Sequence, residues 1–313
     1  MSRALLSRVA ESIFWMGRYI ERVEGTARIL DVVVHHVLER CGSDAEDMAS
    51  RVAGAMGVAC QDDMDFWQVT DKLCFEKQTQ SSIAGSFTAA RDNARSVRYL
   101  LPSELWERLN VAWVELPMRR SWAGRSGPGV FLSWVKDQAA AVSGLADTMM
   151  SRDQTWLFFA LGRSLERADL TARLLAALPL DRLTESGLMT LLRSCGGHEV
   201  YMRQASGVIE LEGVIDFLMR DLLFPRSALR SLNIASEAIV DLGYNNQDVW
   251  NEARSVIGLA RAELEFSHPE EILADIPIKL ARLHSACSKA SSLITDSYLQ
   301  HEAPTEWRQG AGR

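Results

Sequence analysis

Several motifs that mark large enzyme classes are missing from this chain of 313 residues. Neither Gly-x-x-x-x-Gly-Lys-Ser/Thr nor Gly-x-Gly-x-x-Gly occurs, so the chain lacks the glycine loops whose backbone N–H groups hold nucleotide phosphates. The Gly-x-Ser-x-Gly turn of serine hydrolases and the His-Glu-x-x-His pair of zinc proteases are missing as well. The sequence therefore predicts no nucleotide site and no bound cofactor.

Cysteine is scarce, and its spacing argues against two roles. The five cysteines are an odd number without a Cys-x-x-Cys pair, which does not suit a disulfide framework or a zinc site. A di-iron bundle needs two Glu-x-x-His pairs, whereas the chain has one, from Glu265 to His268. We therefore predict reduced, mostly buried thiols and no metal. One alternative stays open, because Cys195 lies near His198 and Glu199 as a thiol nucleophile lies near its base.

Long apolar runs and a basic surface are also lacking. No stretch approaches the roughly 18 uncharged apolar residues of a transmembrane helix, and Glu11 interrupts the N-terminal segment before it reaches signal-peptide length. The net charge of −7 argues against a general electrostatic grip on nucleic acid. Together with the reduced cysteines, these absences predict a cytoplasmic protein without nucleic-acid or membrane partners.

Helical periodicity is present along almost the whole chain. In the first segment apolar residues recur at steps of three and four, at Ile13, Met16, Ile20, Val23, Ala27, Leu30 and Val34. The pattern predicts a helix that begins at Pro102, a break at 124–129, and helices over 5–40, 86–101, 130–150, 153–178, 184–195, 198–221, 226–242, 247–266 and 270–300. No run alternates between apolar and polar residues as a strand does. We predict an all-α fold, a helical bundle of about ten or more helices.

One charged helix segment occurs twice. GRYIERVEGTAR at 17–28 returns as GRSLERADLTAR at 162–173, an offset of 145 residues (162 − 17), and 14–30 matches 159–175 at nine of 17 positions. Two unrelated amphipathic helices share apolar positions, but not Gly-Arg-x-x-Glu-Arg in register. The repeat predicts two related helical halves, 1–150 and 151–302, followed by a disordered tail over 303–313.

The repeated segment places guanidinium and carboxylate groups on one face, opposite the apolar residues. The charged members are Arg18, Glu21, Arg22 and Arg28 in the first copy and Arg163, Glu166, Arg167 and Arg173 in the second. Gly17 recurs as Gly162, which indicates a close approach by another helix or a ligand. Two alternatives follow: a buried ion-pair network that braces the halves, which we favour, or a pocket that binds a carboxylate or phosphate.

Two further basic sets lie outside the repeat. ARDNARSVRYLL carries Arg91, Asn93, Arg95 and Arg98, and FPRSALRSL carries Arg226 and Arg230 just after a proline-led helix start. The plain interpretation of both sets is a solvated helix face. The alternative is an anion site, since helix N-termini attract anions near Arg226.

The segments RVAESIFWMGRYIERVEGTARILD, ARDNARSVRYLLPSELWERLN and LGRSLERADLTARLL together resemble the alpha-E family, bacterial all-helical proteins with a recurring Glu-Arg motif. The resemblance spans essentially the whole chain. It implies partnership with a circularly permuted ATP-grasp ligase, and with a transglutaminase-like peptidase, in making or modifying a peptide-like metabolite. The motif residues it marks are Arg18, Glu21, Arg22, Arg91, Asn93, Arg95, Arg98, Glu166 and Arg167. It implies no catalytic activity.

The sequence thus favours an accessory protein that presents a peptide or carboxylate-bearing substrate to an ATP-grasp-type amide ligase. One alternative is an enzyme that forms or hydrolyses an amide bond with Glu21 or Glu166 between arginines. Another is a scaffold without a small-molecule site. The candidate binding residues are Arg18, Glu21, Arg22, Arg28, Arg91, Asn93, Arg95, Arg98, Arg163, Glu166, Arg167, Arg173 and Arg226.

Overall fold

The chain folds into α-helices throughout the part that the structure, a computed structural model, describes: residues 7–39, 45–58, 64–243 and 247–299. The fourteen α-helices of these ranges are α1 Ser7–Glu39, α2 Ala45–Ala55, α3 Phe66–Phe75, α4 Ile83–Ser96, α5 Ser103–Ser126, α6 Pro128–Met149, α7 Gln154–Ala176, α8 Glu185–Ser194, α9 His198–Gln204, α10 Leu211–Arg220, α11 Ala228–Leu242, α12 Gln247–Phe266, α13 Pro269–Ala274 and α14 Ile276–Leu299. The same ranges contain no β-strand. The predicted all-α fold is confirmed. The tail predicted over 303–313 lies outside the described residues.

Two predicted helices are each divided in the structure. The helix predicted over 198–221 is two helices, α9 and α10, because Ser206 and Gly207 between them have φ values of 51° and 88°. Positive φ places both residues outside the right-handed helical region. The helix predicted over 270–300 is likewise wrong as a single element, since α13 ends before Asp275 and α14 begins after it.

Two further boundaries differ from the prediction. The helix predicted over 86–101 starts earlier and ends at Ser96, where a single 3-10 turn at Arg98–Leu100 follows. The break predicted over 124–129 is confined to Gly127, whose φ of 82° ends α5 and lets α6 start at the next residue. Proline at the first position of α6 suits this start because its φ is fixed near the helical value.

Matched serine caps begin α4 and α11. The Ser82 hydroxyl accepts a hydrogen bond from the Gly85 N–H at 2.9 Å, and the Ser227 hydroxyl accepts one from the Arg230 N–H at 3.1 Å. Each hydroxyl also donates, at 2.5 Å, to the carbonyl oxygen six residues earlier in the chain. A capping hydroxyl satisfies one of the backbone N–H groups left free at a helix start. The two helices therefore begin with the same local structure.

Eight of the helices form two groups of four, and one helix of each group, α1 or α7, lies at the centre where the groups meet. In the first group α1 packs against α4 and α6, and α5 packs against both of these helices. In the second group α7 packs against α11 and α14, and α12 packs against both. The two groups meet where α1 packs along α7. The large buried side chains include Phe14 and Phe87 in the first group and Phe158 and Phe159 in the second.

Three pairs of corresponding helices lie almost equally far apart in the sequence. The starts of α3 and α10 differ by 145 residues (211 − 66), as do those of α4 and α11 (228 − 83). The starts of α5 and α12 differ by 144 (247 − 103). This spacing matches that of the repeated charged segment, so residues 145 apart occupy equivalent positions in α1 and α7 and in α4 and α11. The division into halves at residue 150 stays a prediction; α6 ends at Met149 and α7 begins at Gln154.

The helices α1 and α7 run parallel and touch at paired glycines. A Cβ atom on Gly17 would overlap with the carbonyl oxygen of Phe159, and a Cβ atom on Gly162 would overlap with that of Phe14. Further along, a Cβ atom on Gly25 would meet the side chain of Leu170. The reciprocal contacts are those of an approximate twofold axis alongside both helices. Glycine recurs here because the two backbones leave no room for a side chain.

No helix of the described ranges is both long enough and apolar enough to cross a membrane.

Gly17→Ala tests the close approach of the two central helices. The obstructing atom is a backbone oxygen, which cannot move as a flexible side chain can. We expect the change to lower the free energy of unfolding by about 1–3 kcal/mol, the usual cost of overpacking. Denaturant unfolding followed by circular dichroism measures it.

Gly144→Ala in α6 is the matched control, because a Cβ atom there would meet no atom within 4 Å. Alanine favours the helix over glycine by up to about 1 kcal/mol, so this variant should be no less stable than the parent. Equal effects of the two substitutions would contradict a contact specific to Gly17.

Candidate functional site

The seam between α1 and α7 buries four carboxylates. Glu21 and Glu24 lie on α1, and Glu166 and Asp169 lie at the equivalent positions of α7. The side chains of Glu21 and Glu166 have no exposed surface at all. A buried carboxylate is stable only when it is paired and hydrogen-bonded. Each of the four meets arginine side chains, and these contacts form two clusters.

The Glu21 cluster consists of Glu21, Glu24, Arg28, Arg167 and Arg226. Arg167 of α7 donates to both carboxylate oxygens of Glu21, through Nε at 2.9 Å and Nη2 at 2.6 Å. Arg226, which precedes α11, donates to Glu21 at 2.8 Å and also to Glu24. Glu24 accepts a further bond from Arg28 at 2.7 Å. Bidentate guanidinium–carboxylate pairing is the strong form of this interaction.

The Glu166 cluster is the counterpart and consists of Arg18, Arg22, Glu166, Asp169 and Arg173. Arg22 of α1 donates to both oxygens of Glu166, through Nε at 2.6 Å and Nη2 at 2.8 Å. Arg18 donates to Glu166 through Nε at 2.7 Å. Arg173 lies 3.1 Å from Asp169 and 3.6 Å from Glu166. The glutamate of each helix is thus held by the second arginine of the other helix's motif.

These arginines keep the buried glutamates ionised. Burial by itself raises the pKa of Glu21, but the attraction of Arg167 and Arg226 outweighs it and the pKa falls to about 2. Burial likewise opposes ionisation of Glu166, yet Arg22 and Arg18 hold its pKa well below the usual range. Each cluster sets three arginines against two carboxylates. Neither glutamate is suited to accept a proton at neutral pH.

A single position makes the two clusters different. Arg226 completes the Glu21 cluster, and the residue 145 positions before it is Ser81 (226 − 81). Both residues directly precede the serine that caps the next helix. Ser81 is too short to reach the carboxylates, and Arg18 bridges them instead, at 2.7 Å from Glu166 and 3.7 Å from Asp169. Space remains on the Ser81 side.

That space is a pocket of about 660 Å³, which we call the α14 pocket. Its walls come from α1, α7, α14, the end of α2 and the turn before α4, and its lining residues include Trp15, Arg18, Arg22, Ser81, Asp169, Arg173, His284, Ser288, Ser291, Ser292, Thr295 and Asp296. Arg18 donates to the Ser291 hydroxyl. The Thr295 hydroxyl oxygen is buried without a hydrogen-bond partner.

His284 lies at the opening of the α14 pocket. The Nδ1 atom of His284 lies 2.5 Å from an oxygen of Asp169. The hydrogen bond to Asp169 raises the pKa of His284 above its ordinary value, because it favours the charged ring. About half of the His284 side chain is exposed. A partly positive ring therefore faces the opening.

Arg163 takes a different position from its counterpart Arg18. It pairs with Asp147 of α6 through both terminal nitrogens, at 3.0 and 2.8 Å. The starts of α6 and α14 differ by 148 residues (276 − 128), so the position of Asp147 corresponds to Thr295 of α14. A carboxylate thus draws Arg163 out toward α6, whereas a threonine at the equivalent place leaves Arg18 over the buried acids.

The basic set around Arg91 lies apart from both clusters. Arg91 donates to the Asn110 side chain of α5 at 3.0 Å, and Asn93 donates to a carbonyl oxygen within α4. Arg95 is exposed, and the Arg98 guanidinium lies over the Trp106 ring at 5.4 Å. The structure therefore brings together eight of the candidate residues, in the two clusters at the seam, and not these four.

The sequence prediction missed several residues of the site. Glu24 and Asp169 belong to the clusters, and their equivalence in the repeat was the available signal. His284 and the serines of α14 have no sequence signal, because only packing brings α14 to the seam. Cys195 is buried, and burial raises the pKa of its thiol to about 12, although Arg226 and Arg28 lower it in part. That pKa opposes the hypothesis of a thiol nucleophile.

Glu21→Gln tests whether the Glu21 cluster braces the two groups. The substitution leaves Arg167 and Arg226 buried without their shared counter-charge. Breaking a buried pair on one side costs about 3–5 kcal/mol, so we expect a fall of that size in the free energy of unfolding. Denaturant unfolding measures it. Glu107→Gln on the exposed face of α5 is the control and should change stability by less than about 0.5 kcal/mol.

Stability should also depend on acid pH through the same glutamate. The pKa of Glu21 is about 2 in the folded chain and about 4.3 in an unfolded one. Its contribution is therefore fully present above about pH 5 and is lost as the pH falls toward about 2. We expect the free energy of unfolding to fall from about pH 5 to about pH 3. The fall should be smaller in Glu21→Gln, and equal falls would contradict the depressed pKa.

Comparison with known proteins identifies the family but no function. The chain is 24% identical over 333 aligned residues to uncharacterized proteins of Mycobacterium bovis and Mycobacterium tuberculosis, which covers 93% of this chain and 37% of each relative. The chain thus spans little more than a third of the length of these relatives. No solved structure matches it significantly. A family model, described as a predicted alpha-helical domain with a conserved ER motif, matches residues 5–299. The seam contains two Glu-Arg sequences, Glu21-Arg22 and Glu166-Arg167, and the chain belongs to the Alpha-E family.

Proposed function

We propose that this protein binds a carboxylate-bearing, peptide-like substrate in the α14 pocket and presents it to an ATP-grasp-type amide ligase in the cytoplasm. A transglutaminase-like peptidase acting on the same metabolite is the second proposed partner. The observation that carries the proposal is the pocket itself, which opens beside the Glu166 cluster at the position where Arg226 fills the Glu21 cluster.

The chemistry of the α14 pocket suits a molecule with both an acidic and an amino group. Arg18, Arg22 and Arg173 line it and outnumber the two buried carboxylates that they hold, which favours an anion. The serine hydroxyls of α14 offer further donors to carboxylate oxygens. Asp169 and Asp296 also line the pocket and suit an amino group. Amino acids and short peptides carry this combination.

The alternative of catalysis by Glu21 or Glu166 is less well supported. Both side chains are fully buried, and each has both of its oxygens bonded to arginine. A general base needs a pKa near the working pH and access to the substrate. The alternative of a scaffold without a small-molecule site fits the Glu21 cluster but leaves the α14 pocket unexplained.

The role beside a partner enzyme draws on two further observations. The sequence contains neither of the phosphate-binding glycine loops described above, and the proposal assigns the ATP-dependent step to another protein. In the mycobacterial relatives the matching region makes up 37% of a longer chain. The ligase itself is proposed on the family resemblance.

Ser81→Arg is the sharpest test, because it recreates on the Ser81 side the arginine found at position 226. The new guanidinium should fill the α14 pocket beside Asp169 without disturbing the core, since Ser81 is only half-buried. We expect the parent protein to raise the rate of ATP-dependent amide formation by an ATP-grasp-type ligase that binds it. Ser81→Arg should bind the ligase but fail to raise the rate. Phosphate release from ATP, followed with the amide product by mass spectrometry, measures it.

Ser285→Arg is the matched control, because it adds the same charge to an exposed position of α14 outside the pocket lining. It should raise the rate as the parent does. A ligase that neither binds nor responds to the parent protein would overturn the proposed partnership. Full activity of Ser81→Arg would show that the α14 pocket is not the substrate site.

A further inference from the structure

The repeat spacing exposes a second difference between the two groups, away from the seam. In the first group, α4 and α5 enclose the indole of Trp113. Its Nε1 donates to the Thr88 hydroxyl at 3.2 Å. The Arg91 guanidinium lies over the ring, 4.1 Å from its centroid. Indole, acceptor and cation thus form one unit between these two helices.

The second group keeps the helices but lacks the indole. The positions equivalent to Thr88 and Arg91 are Asn233 and Ser236, each 145 residues later, and Gly258 of α12 lies beside them. All three line a groove of about 750 Å³ between α11 and α12. We call it the Gly258 groove.

Two groups that line the Gly258 groove have no neighbour within it. A Cβ atom on Gly258 would meet no atom within 4 Å, so the space above this glycine is empty. The side-chain oxygen of Asn233 is buried and has no hydrogen-bond partner. It lies where the Thr88 hydroxyl accepts the indole N–H in the first group. An unpartnered buried acceptor is costly, and native structures contain few of them.

We propose that the Gly258 groove receives a tryptophan side chain from a partner protein, with the indole N–H donated to Asn233. The proposal is independent of the α14 pocket. The occupant takes the place that Trp113 holds in the first group. An aliphatic or phenyl side chain fills the same space but leaves the Asn233 oxygen without a donor, so the groove selects indole.

The partner segment should also carry a basic residue next to its tryptophan. Ser236 stands in place of Arg91, so the side chain at this position supplies no cation for the ring face. The lining contains three carboxylates, from Glu237, Asp241 and Glu265, and two arginines, Arg254 and Arg261. The net negative lining complements an incoming arginine or lysine. The Nε of Arg261 is buried without a partner and offers a donor to a backbone carbonyl of the segment.

We favour a partner protein as the occupant, because in the mycobacterial relatives the matching region is part of a longer polypeptide. The chain has a tryptophan of its own outside the described residues, Trp307, which is followed by Arg308. The test is therefore made in a variant that lacks this tryptophan. With Trp307→Ala as background, the blocked peptide Ac-Gly-Trp-Arg-Gly-NH2 is titrated into 15N-labelled protein. The Gly258 backbone amide and the Asn233 side-chain amide report binding.

We expect both signals to shift and saturate with the tryptophan peptide. The same peptide with phenylalanine should bind about fivefold more weakly, as one lost hydrogen bond implies. Gly258→Trp supplies the indole from within and should weaken binding about tenfold or more. Asn233→Leu should remove the preference for tryptophan over phenylalanine.

Trp113→Gly is the matched positive control, because it opens in the first group the space that the second group already has. Free indole should bind that cavity and restore the stability lost with Trp113. If indole binds there while the tryptophan peptide leaves Gly258 and Asn233 unshifted, the proposal is overturned. It is also overturned if restoring Trp307 alone saturates the groove, since the occupant is then the chain's own segment.

Discussion

The structure depends on one reciprocal interaction, in which a glutamate of each central helix is held by the arginine that follows the glutamate in the other helix. Arg22 forms a bidentate ion pair with Glu166, and Arg167 forms one with Glu21. Neither pair forms unless α1 and α7 run parallel at one fixed register, because a shift by one residue turns the side chains away from each other. The paired glycines bring the two backbones close enough for both ion pairs to form at once. Register, close approach and charge pairing therefore support one another.

The buried ion pairs also cost desolvation free energy that a hydrophobic contact between the two helices would not. Taking carboxylates out of water costs several kcal/mol each, and only well-placed arginines recover it. What the ionic seam adds is specificity, since an apolar seam tolerates sliding and a bidentate pair does not. It also leaves guanidinium groups positioned at the edge of the interior, where the proposed anionic substrate would meet fixed charges rather than mobile surface side chains.

Much of the fold, and the centre of the site, could be predicted from the sequence, because both follow from local periodicity. The apolar spacing of α1 indicates a long helix, and Gly-Arg-x-x-Glu-Arg in register marks the face that meets its copy. The split of α9 from α10 was not predictable from periodicity, since it depends on backbone dihedrals at Ser206 and Gly207. The α14 wall of the pocket was hidden for another reason. His284 lies 115 residues from Asp169, and only the packing of α14 on α7 joins them.

The exchange of Ser81 for Arg226 across the repeat has a consequence for stoichiometry. In a homodimer of identical subunits, every substitution is present twice, so both symmetry-related sites are filled or both are empty. A single polypeptide that contains both units escapes this rule, because each unit changes independently. Arg226 of the chain itself completes the Glu21 cluster, whereas the α14 pocket lies open beside the Glu166 cluster. Under the proposed function, such a molecule takes one ligand per chain at its axis, where a symmetric pair takes two or none.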